Sequence, residues 1–529
     1  MKARHALSLA AAGTLGATIL ITLAGGTAAS SKAPAASSTL AASWRWPGAD
    51  PQNDRDVGGP INVSTVKRLH LVWRDPLTAQ NPYSYGGYAT TPVVSGGVLY
   101  TQDLDSNVQA IDLKSGKIVW TKLYLSPNEG PDGVTVADGL VFGATATSAF
   151  ALEQSNGKQV WIKKLTRRAG EGIDMAPGFY NGTVYIATVG VNLAANVRYT
   201  GGGRGVLWAL NAASGATRWK WDMVPANLWS SAHSKLNSGG GLWAPPTFDG
   251  EGNLYIGTAN PAPFPGTAKY PWGSSRPGPN LYTDSIVKLN AQTGKLIWYY
   301  QLTPHDLYDR DMQNSPILAT AHGQQLVIDG GKAGIVVALN AQTGKLVWKR
   351  SVGQHNLHDN DNLLALKGET SKLTLPEEIM PGPLGGIEGA LASNGTTLFA
   401  AANDLLGYVA AAGITVHAID GSGDLVAINE ASGKIEWDVK LPSSPYGGVT
   451  LANNVVFTTT YNGTAPLAIG EYGAVTGAAS TPVFVANSII AKAMSNEAIV
   501  HNDGSWGIHN LPFTQTLISN TMAQLNTLP

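Results

Sequence analysis

Apolar and polar residues alternate in short runs along most of this chain, and the runs end on a recurring phrase. Ala110-Ile111-Asp112 leads to Ser115-Gly116-Lys117 and Trp120. Ala151-Leu152 leads to Asn156-Gly157-Lys158 and Trp161, and Ala209-Leu210-Asn211 to Ser214-Gly215 and Trp219. Further copies end on Trp298, Trp348 and Trp437. The period-two alternation predicts a strand. Asp or Asn followed by Ser/Thr-Gly predicts a tight turn with the glycine at positive φ. A second strand then carries the tryptophan. One such hairpin cannot bury its own face, whereas units stacked radially can, so the pattern predicts an all-β propeller.

The tryptophan spacings are 41, 58, 79, 50 and 89 residues. The shortest matches one four-stranded blade of roughly 40–50 residues. The gap of 79 calls for a long insertion. The gap of 89 has room for two blades, with Thr397-Leu398-Phe399-Ala400-Ala401 as a strand in its middle. Six clear and two degenerate units predict eight four-stranded blades over 44–463. After Tyr461-Asn462-Gly463 the phrase fails, and 464–529 reads as a divergent segment or a degenerate closing blade.

Composition supports this picture. Glycine numbers 62 and tryptophan 15 of 529 residues, while charged residues make up only 13%. That suits a turn-rich β protein. The net charge is −1, with no basic stripe, so nucleic-acid binding has no electrostatic support. Lys2, Arg4 and His5 precede an apolar stretch from Ala6 to about Ala24, followed by small residues. This predicts a signal peptide over 1–28, a flexible Ala/Ser-rich leader over 29–43, and an exported chain; an uncleaved membrane anchor is the competing reading. The chain has no cysteine, so its fold rests on its core alone.

Chemistry is expected where the blade pattern breaks. Gly239-Gly240-Gly241-Leu242-Trp243 offers close backbone approach and a flat stacking face. Asn260, before Pro261, offers an oxygen that suits a hard cation, or else a simple Asx turn. Pro304-His305-Asp306-Leu307-Tyr308-Asp309-Arg310-Asp311 packs three carboxylates into six residues. In an extended loop Asp309 and Asp311 point the same way, to bind a cation or to act as a general base. His355, His358, Asp359 and Asp361 have metal-like content but also suit a polar inter-blade loop. The glycine run at 201–205 lacks the strand-to-helix context of a nucleotide loop.

Together these segments resemble the PQQ-dependent quinoprotein alcohol dehydrogenase family, over roughly Trp46 to Gly463. The resemblance includes Trp46-Pro47-Gly48, Val66-Lys67-Arg68-Leu69, Thr91-Pro92-Val93-Val94 and the tryptophan repeats. It implies PQQ on the propeller axis with Ca2+ or a lanthanide ion. Trp243 then matches the floor under the quinone, Lys332 the quinone-contacting base, and Asp309 the catalytic base. Asn260, Asp309, Asp311 and, as the best match to a family glutamate, Asn192 become metal ligands. The chain departs from the family at Ala89, at Asn192 and at Ile387-Glu388, where an Asn-Trp often stands. The implied function is oxidation of a small alcohol or sugar hydroxyl. A separate cytochrome or quinone would take the electrons, since there is no haem-attachment Cys-x-x-Cys-His. The alternative is a non-catalytic propeller, a binding or assembly scaffold that has lost the cofactor.

Overall fold

The computed structural model describes residues 43–470 other than 76–89, 129, 169, 191–201, 374–376, 411–412 and 461–466. The expected signal peptide, nearly all of the leader, Ala89, Asn192 and most of 464–529 lie outside the described residues. The rest is an antiparallel β-propeller, as the alternating pattern predicts. Blades one to five are four-stranded sheets over 93–122, 135–164, 178–222, 247–301 and 317–351. Blade six comprises Ala392–Ser393, Thr397–Ala410, Gly413–Asn429 and Ile435–Leu441, with two further strands paired onto its overlong central hairpin. Among the described residues a seventh sheet has two strands, Thr450–Ala452 and Val455–Phe457.

The blade count needs one correction. The 89-residue gap between Trp348 and Trp437 holds a single blade, not two. Its first part is an insertion carrying the helix Asp361–Leu366, and Thr397-Ala401 is the second strand of blade six itself. The described residues therefore give six full blades and a half-built seventh.

The recurring phrase does the same work in each blade. Asp112, Asn211, Asn290, Asn340 and Asn429 each accept the backbone N–H and the hydroxyl of the Ser or Thr three residues on. The following glycine sits at positive φ, 66–71° from Gly433 to Gly116. Each of these glycines lies under the tryptophan of the preceding blade. A Cβ on Gly344 would meet the Trp298 ring at 2.7 Å, and one on Gly433 would meet Trp348 at 2.6 Å. The indole N–H then donates to a carbonyl of the same turn. Trp120 reaches Gln154, Trp161 Ala212, Trp219 and Trp298 Ala291 and Ala341, and Trp348 Glu430, all within 2.7–3.1 Å. Blade is thus pinned to blade by one ring and one hydrogen bond.

Two ends of this series stand out. Trp73, which lacks the phrase, docks on Gly116 and donates to Leu113 at 2.8 Å. Its distance of 47 residues from Trp120 was the available signal. Trp437, by contrast, has a buried indole N–H with no acceptor, and among the described residues the seventh sheet has no outer hairpin to supply one. Between that sheet and blade one, Trp44, Ile61, Val66 and Trp73 join Ala452, Val455 and Phe457 in one apolar cluster.

In an antiparallel blade, the connection into the first strand and the turn between strands two and three fall at one end of the ring. The docking turns fall at the other. At that docking end the N-terminal segment crosses the axis. Its backbone pairs with Val94, Val136, Phe248, Ser393 and Leu451, on the inner strands of blades one, two, four, six and seven. Arg55 fixes it through the carbonyls of Val449 and Pro47, both at 2.7 Å. The axis is closed there, and the candidate site lies at the opposite end.

Candidate active site

Every predicted site residue among the described ones belongs to the open-end connections. Trp243 precedes the first strand of blade four. Asn260 follows the second strand of that blade. The acidic loop joins blades four and five, and Lys332 sits on the turn between Gln324–Gly330 and Ile335–Asn340.

The acidic loop is not extended. Asp306 accepts the N–H groups of Tyr308 and Arg310, each at 2.8 Å, and folds the loop back on itself. Its role is to shape the loop rather than to bind a ligand. Asp309 sits at φ 63°, a conformation rare outside glycine and typical of over-determined functional positions. Simple alternation therefore does not place Asp309 and Asp311 together. A lysine does: Lys332 Nζ lies 2.6 Å from Asp309 Oδ2 and 2.9 Å from Asp311 Oδ2. All three are buried, at 6%, 7% and 0% exposure for Lys332, Asp309 and Asp311. Burial opposes the charged form of Lys332, but Asp309, Asp311 and Glu388 outweigh it and hold its pKa well above the usual lysine value.

Backbone bonds tie in the other segments. Asp311 Oδ1 accepts the Asn260 N–H at 2.6 Å, and the Lys332 N–H donates to the Asp311 carbonyl at 3.0 Å. The Asn260 carbonyl accepts from Gly240, and the Gly241 carbonyl from Ala259. The three glycines serve this packing. A Cβ on Gly239 would meet the Asn260 carbonyl at 2.5 Å, and one on Gly241 would meet Val189 at 2.6 Å. They bring blade backbones together, and the half-buried Trp243 is left to offer its face.

Glu388 is the residue that sequence reading noted only as a departure. It is 5% exposed and accepts Gln313 Nε2 at 2.6 Å, while its Oε1 has no partner. Burial, partly offset by Lys332, pushes its pKa up to about 7. Asp284, fully buried, has two unpartnered oxygens, and burial with Asp306 and Asp311 nearby raises its pKa well above the carboxylate range. So many unsatisfied buried polar atoms are unusual and fit a site that binds a polar group.

The fit to PQQ is good in kind: an aromatic face, a buried cation, and orphaned polar atoms that include Trp243 Nε1. For a metal, Asp309, Asp311 and the Asn260 amide oxygen are hard donors of the right type. Lys332 now shares both carboxylates, and no group of three or more His, Asp or Glu among the described residues is arranged as a metal site.

Two family models match the sequence. The glucose/ethanol/alcohol dehydrogenase β-propeller domain covers residues 164–335, and the outer membrane protein assembly factor BamB model covers 68–208 and 386–492. The quinohemoprotein alcohol dehydrogenase of Comamonas testosteroni is 32% identical over 289 residues, 49% of this chain and 38% of that protein. Over about half its length the chain is thus similar to quinohemoprotein and quinoprotein alcohol dehydrogenases. It is also similar to the putative dehydrogenase XoxF of Paracoccus denitrificans, 31% identical over 313 residues, 50% of this chain and 47% of that one. The matches thus span less than half the length of these two curated relatives. The crystal structure of the Comamonas testosteroni enzyme superposes with a TM-score of 0.66 at 25% identity, covering 83% of this chain and 73% of that one. A europium-containing methanol dehydrogenase shares the fold, with a TM-score of 0.63 at 21% identity, covering 83% and 85%.

Proposed function

We propose that this chain oxidises a small alcohol or sugar hydroxyl at the open end of the propeller, with PQQ as its cofactor. The observation that carries the reading is the Lys332 ammonium held between Asp309 and Asp311, on loops bonded to the Trp243 segment. Bound PQQ supplies a two-electron acceptor for the hydride of the alcohol carbon. Trp243 would offer it a flat face, and Lys332 would supply a fixed positive charge to its oxygens. Asp309 takes the proton of the substrate hydroxyl. Asp311, tied to the Asn260 N–H and to Lys332, keeps that loop in place. Asn260, Asp309 and Asp311 would hold a Ca2+ or lanthanide ion, with Asn192 as a further oxygen donor. Electrons would leave to a separate cytochrome or quinone carrier.

We place the protein outside the cytoplasm, exported through residues 1–28. Mass spectrometry of the mature N-terminus checks this. Among the described residues no helix is long and apolar enough to cross a membrane.

The test of function is titration of purified protein with PQQ, in the presence of Ca2+ or a lanthanide. Tryptophan fluorescence reads binding, and a dye-coupled alcohol assay reads turnover. Asp309→Asn should bind PQQ and lose turnover. Unchanged turnover in that variant refutes the role of Asp309. Absence of any PQQ-dependent quenching in folded protein refutes the cofactor, and leaves the propeller as a binding scaffold.

A further inference from the structure

Behind the acidic loop lies a cavity of about 190 Å³. It opens between blades four and five and the insertion that carries the helix Asp361–Leu366. Tyr308, Arg310, Lys349, Ser351, His358 and Asp359 line it. Of the loop's charged residues, Asp309 and Asp311 turn to Lys332, and Arg310 turns to this other side.

Arg310 is 4% exposed. Its Nη1 donates only to neutral carbonyls, of Lys332 at 3.2 Å and Pro381 at 2.6 Å. Its Nη2 is buried and makes no hydrogen bond. A guanidinium has five donors in a planar fork suited to an oxyanion, and leaving part of it unpaired in the interior is costly.

The acids around the cavity are already engaged. Asp359 holds His355 Nδ1 at 2.9 and 3.0 Å. Asp361 accepts from the Tyr308 hydroxyl at 2.7 Å and contacts His358 Nδ1 at 2.8 Å. Asp306 spends both oxygens on backbone N–H groups. Against these stand Arg310, the exposed Lys349, and two histidines, one of which, His355, is pushed towards its charged form by Asp359 in spite of burial. The carboxylates there are thus already engaged, while Arg310 keeps an unpaired donor, the group that an anion would satisfy. This also accounts for the His355–Asp361 cluster without a metal.

We propose that this cavity is a second ligand site that takes a small oxyanion, a carboxylate or a phosphate, on the fork of Arg310. Its volume suits a ligand of roughly six to ten non-hydrogen atoms, since a cavity of about 150 Å³ accommodates benzene. The site does not depend on PQQ. It shares the Asp306-shaped loop with Asp309, so a ligand on Arg310 touches the same backbone that positions the proposed base.

The experiment is calorimetric titration of the full chain without cofactor, at fixed ionic strength, with inorganic phosphate in one arm and benzoate in the other. Saturable binding in either arm is expected, and the arm that binds names the class. Arg310→Lys keeps the charge and loses the fork, and should weaken binding about tenfold or more. Lys349→Gln, at an exposed position, should weaken it by a few-fold. No saturable binding of either anion overturns the proposal, and so does binding that Arg310→Lys leaves unchanged. If Arg310→Lys does not fold, Lys349→Gln decides: unchanged affinity there overturns it.

Discussion

Replacing Lys332 by Met removes the one cation between two buried carboxylates. Asp309 and Asp311 would then face each other at 7% and 0% exposure, with Glu388 nearby. Breaking a buried ion pair by removing one partner costs about 3–5 kcal/mol, because the other charge stays in the interior. Here two charges are stranded, so the upper half of that range is expected at pH 7. The pKa of Lys332 is raised in the folded protein, so its contribution is fully present below the unfolded lysine value of about 10.4 and is lost only at higher pH. Lys332 therefore stays charged in the folded wild type from pH 7 to 9, and the Lys332→Met penalty should not shrink as pH rises through that range. Adding Asp311→Asn relieves one charge, and the double variant should be more stable than the sum of the two single losses by at least about 1 kcal/mol. Urea unfolding of the four proteins, followed by fluorescence and circular dichroism together, measures this. A Lys332→Met loss below about 1 kcal/mol, or strict additivity, would show that the three side chains do not act as one buried unit.

Other outcomes follow from the same contacts. Glu388 has a folded pKa of about 7 against an ordinary 4.5, so stability is highest below 4.5 and falls as pH rises through 7. Relative to Glu388→Gln, which keeps the Gln313 contact, the wild type should lose about 3 kcal/mol between pH 4.5 and 8; parallel urea midpoints across that window would contradict it. Gly433→Ala forces a Cβ into the Trp348 ring at φ 66°, whereas Gly323→Ala, at φ 74°, meets nothing. Denaturation should show about 2 kcal/mol or more lost in the first and about 1 kcal/mol in the second. Trp298→Phe deletes a docking hydrogen bond and Trp437→Phe deletes none. The first should cost about 1 kcal/mol more than the second by thermal or urea unfolding.

The repeat was legible because each of its residues acts locally. The Asx turn, the positive-φ glycine and the tryptophan are fixed by neighbours within a few positions, so six docking units could be read from spacing. Blade number in the 348–437 gap could not, because an insertion and a second blade have the same length in sequence. The candidate site could be read only as residue types. Asp309, Asp311, Asn260 and Lys332 do converge, although through a lysine rather than through strand alternation. What spacing could not show was the partner of each group. Asp306 is consumed by backbone N–H groups, and the glycines of 239–241 by neighbouring blades. The unpaired atoms of Glu388 and Arg310 appear only once burial is known, though both stand out as charges in segments that are otherwise buried. Asn192 lies outside the described residues, so its place as a metal ligand stays a proposal.

The strap across the axis has a consequence for how the protein is made. Arg55 meets Val449 across 394 positions of sequence, and Asn53 meets Thr247 across 194. Contacts of such high order carry a large loop-closure entropy and form late. The blades, whose strands pair with sequence neighbours, can assemble one by one. The strap precedes the blades in sequence yet has no complete seat until blade six and the sheet after it exist. Seating of the strap therefore waits on the last inner strands, however early the blades themselves have formed.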